Sequence, residues 1–377
     1  MFNILLVFGT RPEAIKMAPL VHQLKSIPLF STKVCVTAQH REMLDSVLEI
    51  FDIQPDFDLN LMKKGQGLTD ITTQMIQQLD QVYRSFLPDL VLVHGDTSTT
   101  FSASLAAFYN KIKIGHIEAG LRTGNIYSPW PEEANRKLTG ILSNFHFAPT
   151  QEAKENLLKE GYSEKQIFVT GNTVIDALYI AKNKIENSMT LDKKFQEQFH
   201  FLNRNKKIII ITGHRRENLD GGLENICAAV KQLSDLYPDI QFVYPVHPNP
   251  KVQETVSQIL SQQHNIFLIA PLDYLPFVWL MKHSYLILTD SGGIQEEAPS
   301  LGIPVLVTRE NTERPEALEA GTIQLVGTDK KKIIDTVSLL IQDTNHYKKM
   351  SQAVNPYGDG YASEKVVKII QNFFYDF

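Results

Sequence analysis

The sequence predicts two doubly wound, Rossmann-like α/β domains, and three observations carry that reading. Short β-branched or apolar runs alternate with helical periods, the alternation restarts once near the middle of the chain, and the polar, glycine-containing strings fall where the runs end. A length of 377 residues fits two domains of ordinary size.

The first domain is placed at 1–172. It opens on a buried-strand run at 3–8 that ends in Gly9. Pro12 marks a helix start, and Met17, Leu20, Val21 and Leu24 share one face of the helix that follows. Pro19 lies inside it and is expected to bend or interrupt it. Further strands are predicted at 33–37, 90–94, 112–117, 145–148 and 167–170, with helical periods such as 69–86 and 132–144 between them. The second domain, 173–357, starts after a crossing near 171–174 with a polar segment, 185–205, of weak helical character. A strand at 206–212 leads into a helix at 222–236. Strands at 241–245, 266–270, 286–289 and 305–307 follow, each trailed by a helical stretch. After a turn at 355–360 rich in glycine and proline, a last helix at 363–374, within the segment 358–377, is expected to cross back and dock on the first domain. The domains are expected to face each other across a cleft at the carboxyl ends of their strands, where ligands of such sheets bind.

Composition narrows the function classes. With 43% hydrophobic and 21% charged residues the chain has the balance of a folded protein. Lys and Arg total 37 against 42 Asp and Glu, so there is no basic excess to hold a polyanion and no nucleic-acid partner is expected. Two distant cysteines, Cys35 and Cys227, argue against a disulfide scaffold or a Cys-based zinc site. The most apolar stretch, 275–281, falls far short of the roughly 20 residues a membrane helix needs, and the N-terminus lacks the basic region of a signal peptide. A cytoplasmic protein without a membrane partner is expected. No HxxxH, CxxC or EF-hand spacing occurs, so neither a metal nor another cofactor is expected.

The chemical strings sit at strand ends. In Gly9-Thr10-Arg11-Pro12-Glu13-Ala14-Ile15-Lys16 the glycine lets the backbone approach a ligand, the helix start offers free amides, and Arg11 and Lys16 can hold an anion. A tight turn with two surface cations is the alternative. Val93-His94-Gly95-Asp96-Thr97 and Gly115-His116-Ile117-Glu118-Ala119-Gly120 deliver Asp96 and Glu118 to one edge of one sheet. Glu132 and Glu133 follow at a helix start. Asp96 could instead cap its helix, and Glu132 and Glu133 could complement a helix dipole. Three carboxylates converging on one cleft suit proton abstraction and donation, because environment can separate their pKa values. In the second domain, Thr212-Gly213-His214-Arg215-Arg216-Glu217 and Pro245-Val246-His247-Pro248-Asn249 end two strands. Thr289-Asp290-Ser291-Gly292-Gly293-Ile294-Gln295-Glu296-Glu297 exposes amides suited to a diphosphate, Glu297 could accept ribose hydroxyls, and Arg314 adds a cation.

Taken in order, FGTRPEAIKMAPL, TAQHREML, HGDT, HIEAGLRT, PWPEEANR, GHRREN, YPVHPNP, LPFVWLM, DSGGIQEEAPSLG, TERPEA and NPYGDG run through essentially the whole chain. On these strings it resembles the non-hydrolysing UDP-N-acetylglucosamine 2-epimerases of bacterial polysaccharide synthesis. The resemblance implies the two-domain GT-B arrangement, a homodimer, and reversible conversion of UDP-GlcNAc to UDP-ManNAc through 2-acetamidoglucal. It implies Asp96, Glu118 and Glu132 as the acid–base set, with His214 assisting near the diphosphate. Arg11, Lys16, Ser291, Gly292, Gly293, Glu297 and Arg314 carry over as nucleotide-sugar contacts, with Phe277 at the uracil. Leu272 stands where family members often have Gln, so a contact there runs through the backbone. Some members bind a second UDP-GlcNAc as an activator. Gln39, Gln66, Arg215 and His247 match residues used there, while Glu42 stands where activated members tend to have Gln.

Three rivals share parts of this pattern. A GT-B glycosyltransferase would share the diphosphate cradle but needs one acceptor base rather than three carboxylates. A hydrolysing epimerase is usually fused to a sugar kinase, for which no stretch of the chain remains. A catalytically dead sensor would lack an acid–base position, and all are present.

Overall fold

The computed structural model describes residues 1–37, 41–61, 65–213, 215, 218 and 221–375, with Glu42 described by its backbone alone. Contacts group the chain into two units, Met1–Ile180 with Tyr357–Phe377, and Ala181–Pro356.

In the first unit, seven strands form one parallel sheet: β1 (Phe2–Phe8), β2 (Phe30–Val36), β3 (Phe57–Asp58), β4 (Leu90–His94), β5 (Lys113–Ile117), β6 (Phe145–Ala148) and β7 (Ile167–Val169). Their order is β3-β2-β1-β4-β5-β6-β7, so the winding reverses between β1 and β4. Ile4, Leu5, Leu6, Val7 and Phe8 are all fully buried, which is why β1 reads as a continuous apolar run: helices cover both faces of such a sheet. Those helices are α1 (Arg11–Lys25), α2 (Arg41–Ile50), α3 (Leu68–Phe86), α4 (Ser98–Tyr109), α5 (Glu132–Leu142), α6 (Gln151–Lys159) and α7 (Thr173–Glu186), the last running on into the second unit.

Pro19 does not interrupt α1. A proline inside a helix costs about 3 kcal/mol. Here Ala14, Met17, Ala18, Leu20 and Leu24 are fully buried, and a capping box between Thr10 and Glu13 fixes the first turn. Burying that many apolar side chains is worth more than the proline loses.

The second unit carries six parallel strands: β8 (Ile208–Thr212), β9 (Gln241–Pro245), β10 (Ile266–Ile269), β11 (Leu286–Thr289), β12 (Val305–Val307) and β13 (Ile323–Leu325). Their order is β10-β9-β8-β11-β12-β13, with the reversal between β8 and β11. Its helices are α8 (Met189–Gln198), α9 (Gly222–Leu236), α10 (Pro250–Leu260), α11 (Tyr274–Lys282), α12 (Gly292–Glu297), α13 (Pro315–Glu319), α14 (Lys330–Gln342) and α15 (Thr344–Ser351). The polar 185–205 segment contains α8, whose Phe195 is buried and whose Asp192 accepts from Trp279 Nε1 at 2.8 Å. The two short strands β3 and β13 were not foreseen, because two or three residues carry no readable alternation.

The chain then returns to the first unit through α16 (Ala362–Tyr375). Asp176 on α7 accepts from the Ala362 and Ser363 amides at 3.1 and 2.7 Å, and Phe374 stacks on Phe2 at 4.3 Å. Among the described residues no helix is long and apolar enough to cross a membrane.

Candidate active site

In each unit the strings with chemical content lie at the carboxyl ends of the strands beside the winding reversal, where an open α/β sheet leaves a crevice. The first unit brings β1, β4 and β5 together there.

The loop after β1 is organised by Glu13, which is 2% exposed. Its Oε2 accepts from the amides of Gly9 at 3.0 Å and Thr10 at 2.8 Å. The side chain at the third helical position thus occupies both amides, as capping boxes do at the N-cap. Arg11, in the first turn, is half-buried and without a side-chain partner among the described residues.

Lys16 reaches Glu118, with Nζ 2.7 and 2.8 Å from Oε1 and Oε2. Glu118 sits just past β5 at φ 63°, the left-handed region, and is 8% exposed. Asn172 Nδ2 donates to its Oε1 at 3.4 Å. His94 Nε2 lies 2.9 Å from Oε2, off the line of a well-formed hydrogen bond. Burial alone would raise the Glu118 carboxyl, but Lys16 first and His94 next outweigh it and hold the group well below the usual carboxylate range. Glu118 is therefore a buried, charged carboxylate.

Asp96 occupies the turn beside it. A Cβ on Gly95 would meet Glu118 Oε2 at 4.0 Å. Thr97, not Asp96, caps α4, its hydroxyl accepting from the Thr100 amide at 3.2 Å. Asp96 is thus released from the structural role open to it in the sequence. It pairs with Arg136, whose other nitrogen reaches Glu133 at 3.0 Å. Asn135 Nδ2 holds the Asp96 carbonyl at 2.9 Å.

The two glutamates of α5 part company. Glu133 is fully buried and accepts from the amides of Thr123 and Gly124, tying down the loop before its helix. Glu132 is half-buried with no hydrogen bond or ion pair among the described residues. Beneath them, His116 Nε2 lies 2.6 Å from the Gly95 carbonyl, which fixes the Nε2–H tautomer. Burial pushes His116 down to about 3, so it is neutral. Among the described residues no group of three or more His, Cys, Asp or Glu could hold a metal ion.

In the second unit the corresponding edge joins β8 and β11. Thr212 and Thr289 share a hydroxyl contact of 2.6 Å, and the Ser291 amide donates to Thr289 Oγ1 at 2.9 Å. Asp290 is fully buried and accepts from the Arg215 amide at 2.8 Å. Ser291 precedes α12 without a side-chain cap bond. A Cβ on Gly292 would lie 3.2 Å from Arg314 Cζ, so the guanidinium lies against the start of α12. Glu296 aims it, with Oε1 at 2.9 Å from Nε and 2.7 Å from Nη2, and Glu313 accepts from Nη1 at 3.1 Å. Glu297 Oε2 accepts from the buried Tyr274 hydroxyl at 3.0 Å, and Oε1 lies 3.7 Å from where a Gly293 Cβ would stand. Ser291, Gly292, Gly293, Glu297 and Arg314 therefore form one cluster. Leu272 and Phe277, both half-buried, flank the start of α11.

Of the remaining expected residues, His214 and Gln39 lie outside the described residues. Gln66 Nε2 donates to Gln74 at 3.2 Å in the first unit, while Arg215 and the exposed His247 follow β8 and β9 in the second. Sequence reasoning missed the groups that hold the site: Glu13, His94, Asn172, Arg136, Tyr274 and Glu296. Only Glu13 had a local signal, the Thr-x-x-Glu spacing of a capping box.

Comparison with known proteins follows the same lines. Residues 22–371 match the family described as UDP-N-acetylglucosamine 2-epimerase. The chain is 58% identical over 370 residues to a UDP-N-acetylglucosamine 2-epimerase of Yersinia pestis, covering 98% of each. A crystal structure of UDP-GlcNAc 2-epimerase from Neisseria meningitidis bound to UDP-GlcNAc superposes with a TM-score of 0.92 at 54% identity, over 98% of this chain and 100% of that one. The Methanocaldococcus jannaschii UDP-GlcNAc 2-epimerase in complex with UDP-GlcNAc and UDP gives a TM-score of 0.82 at 33% identity, over 98% and 100%.

Proposed function

The chain belongs to the UDP-N-acetylglucosamine 2-epimerase family and is an epimerase, and from that premise we propose that it inverts C2 of UDP-GlcNAc by eliminating UDP and adding it back. The C2 hydrogen has no adjacent carbonyl, so an enolate is not open to this sugar. In an elimination the bond from C1 to the UDP oxygen breaks with its electron pair on UDP, a base takes the C2 proton, and a C1–C2 double bond forms. The intermediate is 2-acetamidoglucal. UDP then adds back at C1 while an acid delivers a proton to the opposite face of C2, giving UDP-ManNAc.

That route asks for a held diphosphate and for acid–base groups. The second unit carries the first set: Ser291, Gly292, Gly293 and Arg314 for the diphosphate, Glu297 for the ribose, Leu272 and Phe277 for the uracil. The first unit carries Asp96, Glu118 and Glu132 as the acid–base set, with Arg11 and Lys16 as cations. His214 completes the proposal near the diphosphate. The observation that carries it is Glu118, buried yet held charged by Lys16 and His94, beside the turn that presents Asp96 free of helix capping.

The product would supply ManNAc units for surface polysaccharides. We place a homodimer contact on α4 and α5, where Phe108, Tyr109, Leu138 and Ile141 expose apolar side chains on two helices packed together. The elimination is tested by incubating the protein with UDP-GlcNAc to equilibrium and looking for UDP and 2-acetamidoglucal by mass spectrometry. Their appearance alongside UDP-ManNAc supports the route. Epimer formed with the C1–O bond never broken, read from an oxygen-18 bridge label that does not scramble, overturns it.

A further inference from the structure

Glu13 does more than cap a helix. Its Oε2 takes the Gly9 and Thr10 amides, and its Oε1 faces the other way, accepting from the Thr97 hydroxyl at 2.6 Å and lying 3.3 Å from the Thr100 hydroxyl, which donates to the His94 carbonyl. Those threonines lie more than eighty residues along the chain, in the turn and first helical turn after β4. Nothing in capping chemistry requires this second set of bonds. One buried carboxylate thereby joins the loop carrying Arg11 to the turn carrying Asp96, across the winding reversal between β1 and β4.

The Asp96 turn is otherwise held by the pair between the Asp96 carboxylate and Arg136 and by its backbone. Gly95, at φ 67°, donates to the Ile117 carbonyl at 2.9 Å and accepts from His116, and Asn135 holds the Asp96 carbonyl. The Glu13 bonds are the side-chain link from that turn to the β1 loop. The Gly9 and Thr10 amides and the Thr97 hydroxyl come from groups buried or half-buried, so a lost acceptor leaves these donors unsatisfied and the turn is driven to move.

We propose that Glu13 is a positioning residue for the reaction, a strut that fixes where the Asp96 carboxylate stands relative to the Arg11 loop. The proposal rests on Asp96 acting as an acid–base group. A misplacement of about 1 Å in a reacting group can cost on the order of 100-fold in rate without touching binding elsewhere.

Thr97→Val keeps the shape of the side chain and removes its hydroxyl, and with it both the donation to Glu13 and the cap on α4. It should lower kcat by about 10–100-fold while UDP affinity, measured by calorimetry, stays within about twofold. Thr97→Ser, which restores the hydroxyl, should restore kcat. Glu13→Gln should keep most of the rate, because its amide can donate to the two threonine hydroxyls while its oxygen still accepts from the two amides. A Thr97→Val protein with a lowered melting temperature and an unchanged kcat overturns the proposal and leaves a purely structural bond. Loss of kcat and UDP affinity in parallel also overturns it, since the strut would then serve nucleotide binding. Asp96→Asn separates the two levels. If it retains full turnover, the acid–base reading fails; if it is inactive while Thr97→Val is fully active, only the strut fails.

Discussion

Replacing Lys16 with methionine tests the electrostatics of the first unit most sharply. Lys16→Met keeps the length of the side chain and removes the cation that lies within 2.8 Å of both Glu118 oxygens. The side chains are 13% and 6% exposed, so water cannot take the place of the ammonium. His94 remains beside Oε2 and Asn172 beside Oε1, and neither is a lysine ammonium in contact with both oxygens at once as Lys16 is. Breaking a buried pair by removing one partner costs about 3–5 kcal/mol. In a unit of this size that corresponds to a fall of about 6–20 °C in melting temperature. The sign with pH follows from the shift. In the wild type the Glu118 carboxyl is held below its unfolded value, so its contribution is fully present above that value and is lost as pH falls through the folded pKa. In the variant burial dominates and the carboxyl moves above its unfolded value. Its charged form is then a penalty at neutral and alkaline pH that protonation relieves. Thermal unfolding of both proteins at about pH 8 and about pH 5 should show a wide gap at the higher pH and a narrow one at the lower. A gap of equal size at both, or of less than about 2 °C at the higher, refutes the reasoning.

Three other outcomes follow from the site. Asp96→Asn should abolish turnover and leave UDP affinity nearly intact by calorimetry, because Asp96 belongs to the proposed acid–base set and not to the proposed diphosphate cluster; a collapse of UDP binding would make it a binding residue. Gly292→Ala should press its methyl to 3.2 Å from Arg314 Cζ and displace the guanidinium, weakening UDP binding about tenfold. Its melting temperature should fall, since the displaced guanidinium leaves the buried Glu296 carboxylate without that partner; an unchanged melting temperature would show that the guanidinium keeps its place. Tyr274→Phe removes the hydroxyl 3.0 Å from Glu297 and should weaken UDP binding by about 3–10-fold with kcat at saturation unchanged. A drop in kcat alone would place Glu297 in the chemistry.

Much of the fold was legible because the physical signal is local. The strands at 90–94, 145–148, 241–245, 286–289 and 305–307 and the helix at 222–236 begin and end in the structure at the residues where the apolar pattern switches on and off. Pro19 does not interrupt its helix, because propensity is a local cost and the burial that outweighs it is tertiary. The candidate residues themselves could be read from strings, since glycine, charge and strand ends are visible in one dimension. Their supports could not. Lys16 meets Glu118 across 102 positions, Asn172 meets it across 54, and Glu13 meets Thr97 across 84. Such partners are set by strand order, and no spacing in the sequence encodes the order β1, β4, β5.

The central claim, that a proton leaves and returns at C2 of the nucleotide sugar, is tested most directly by proton NMR of UDP-GlcNAc with the purified protein in deuterated water. The account predicts UDP-ManNAc carrying deuterium at C2 and progressive loss of the C2 proton signal from the remaining UDP-GlcNAc. UDP-ManNAc that retains its original C2 proton, or UDP-GlcNAc left unchanged, would contradict it.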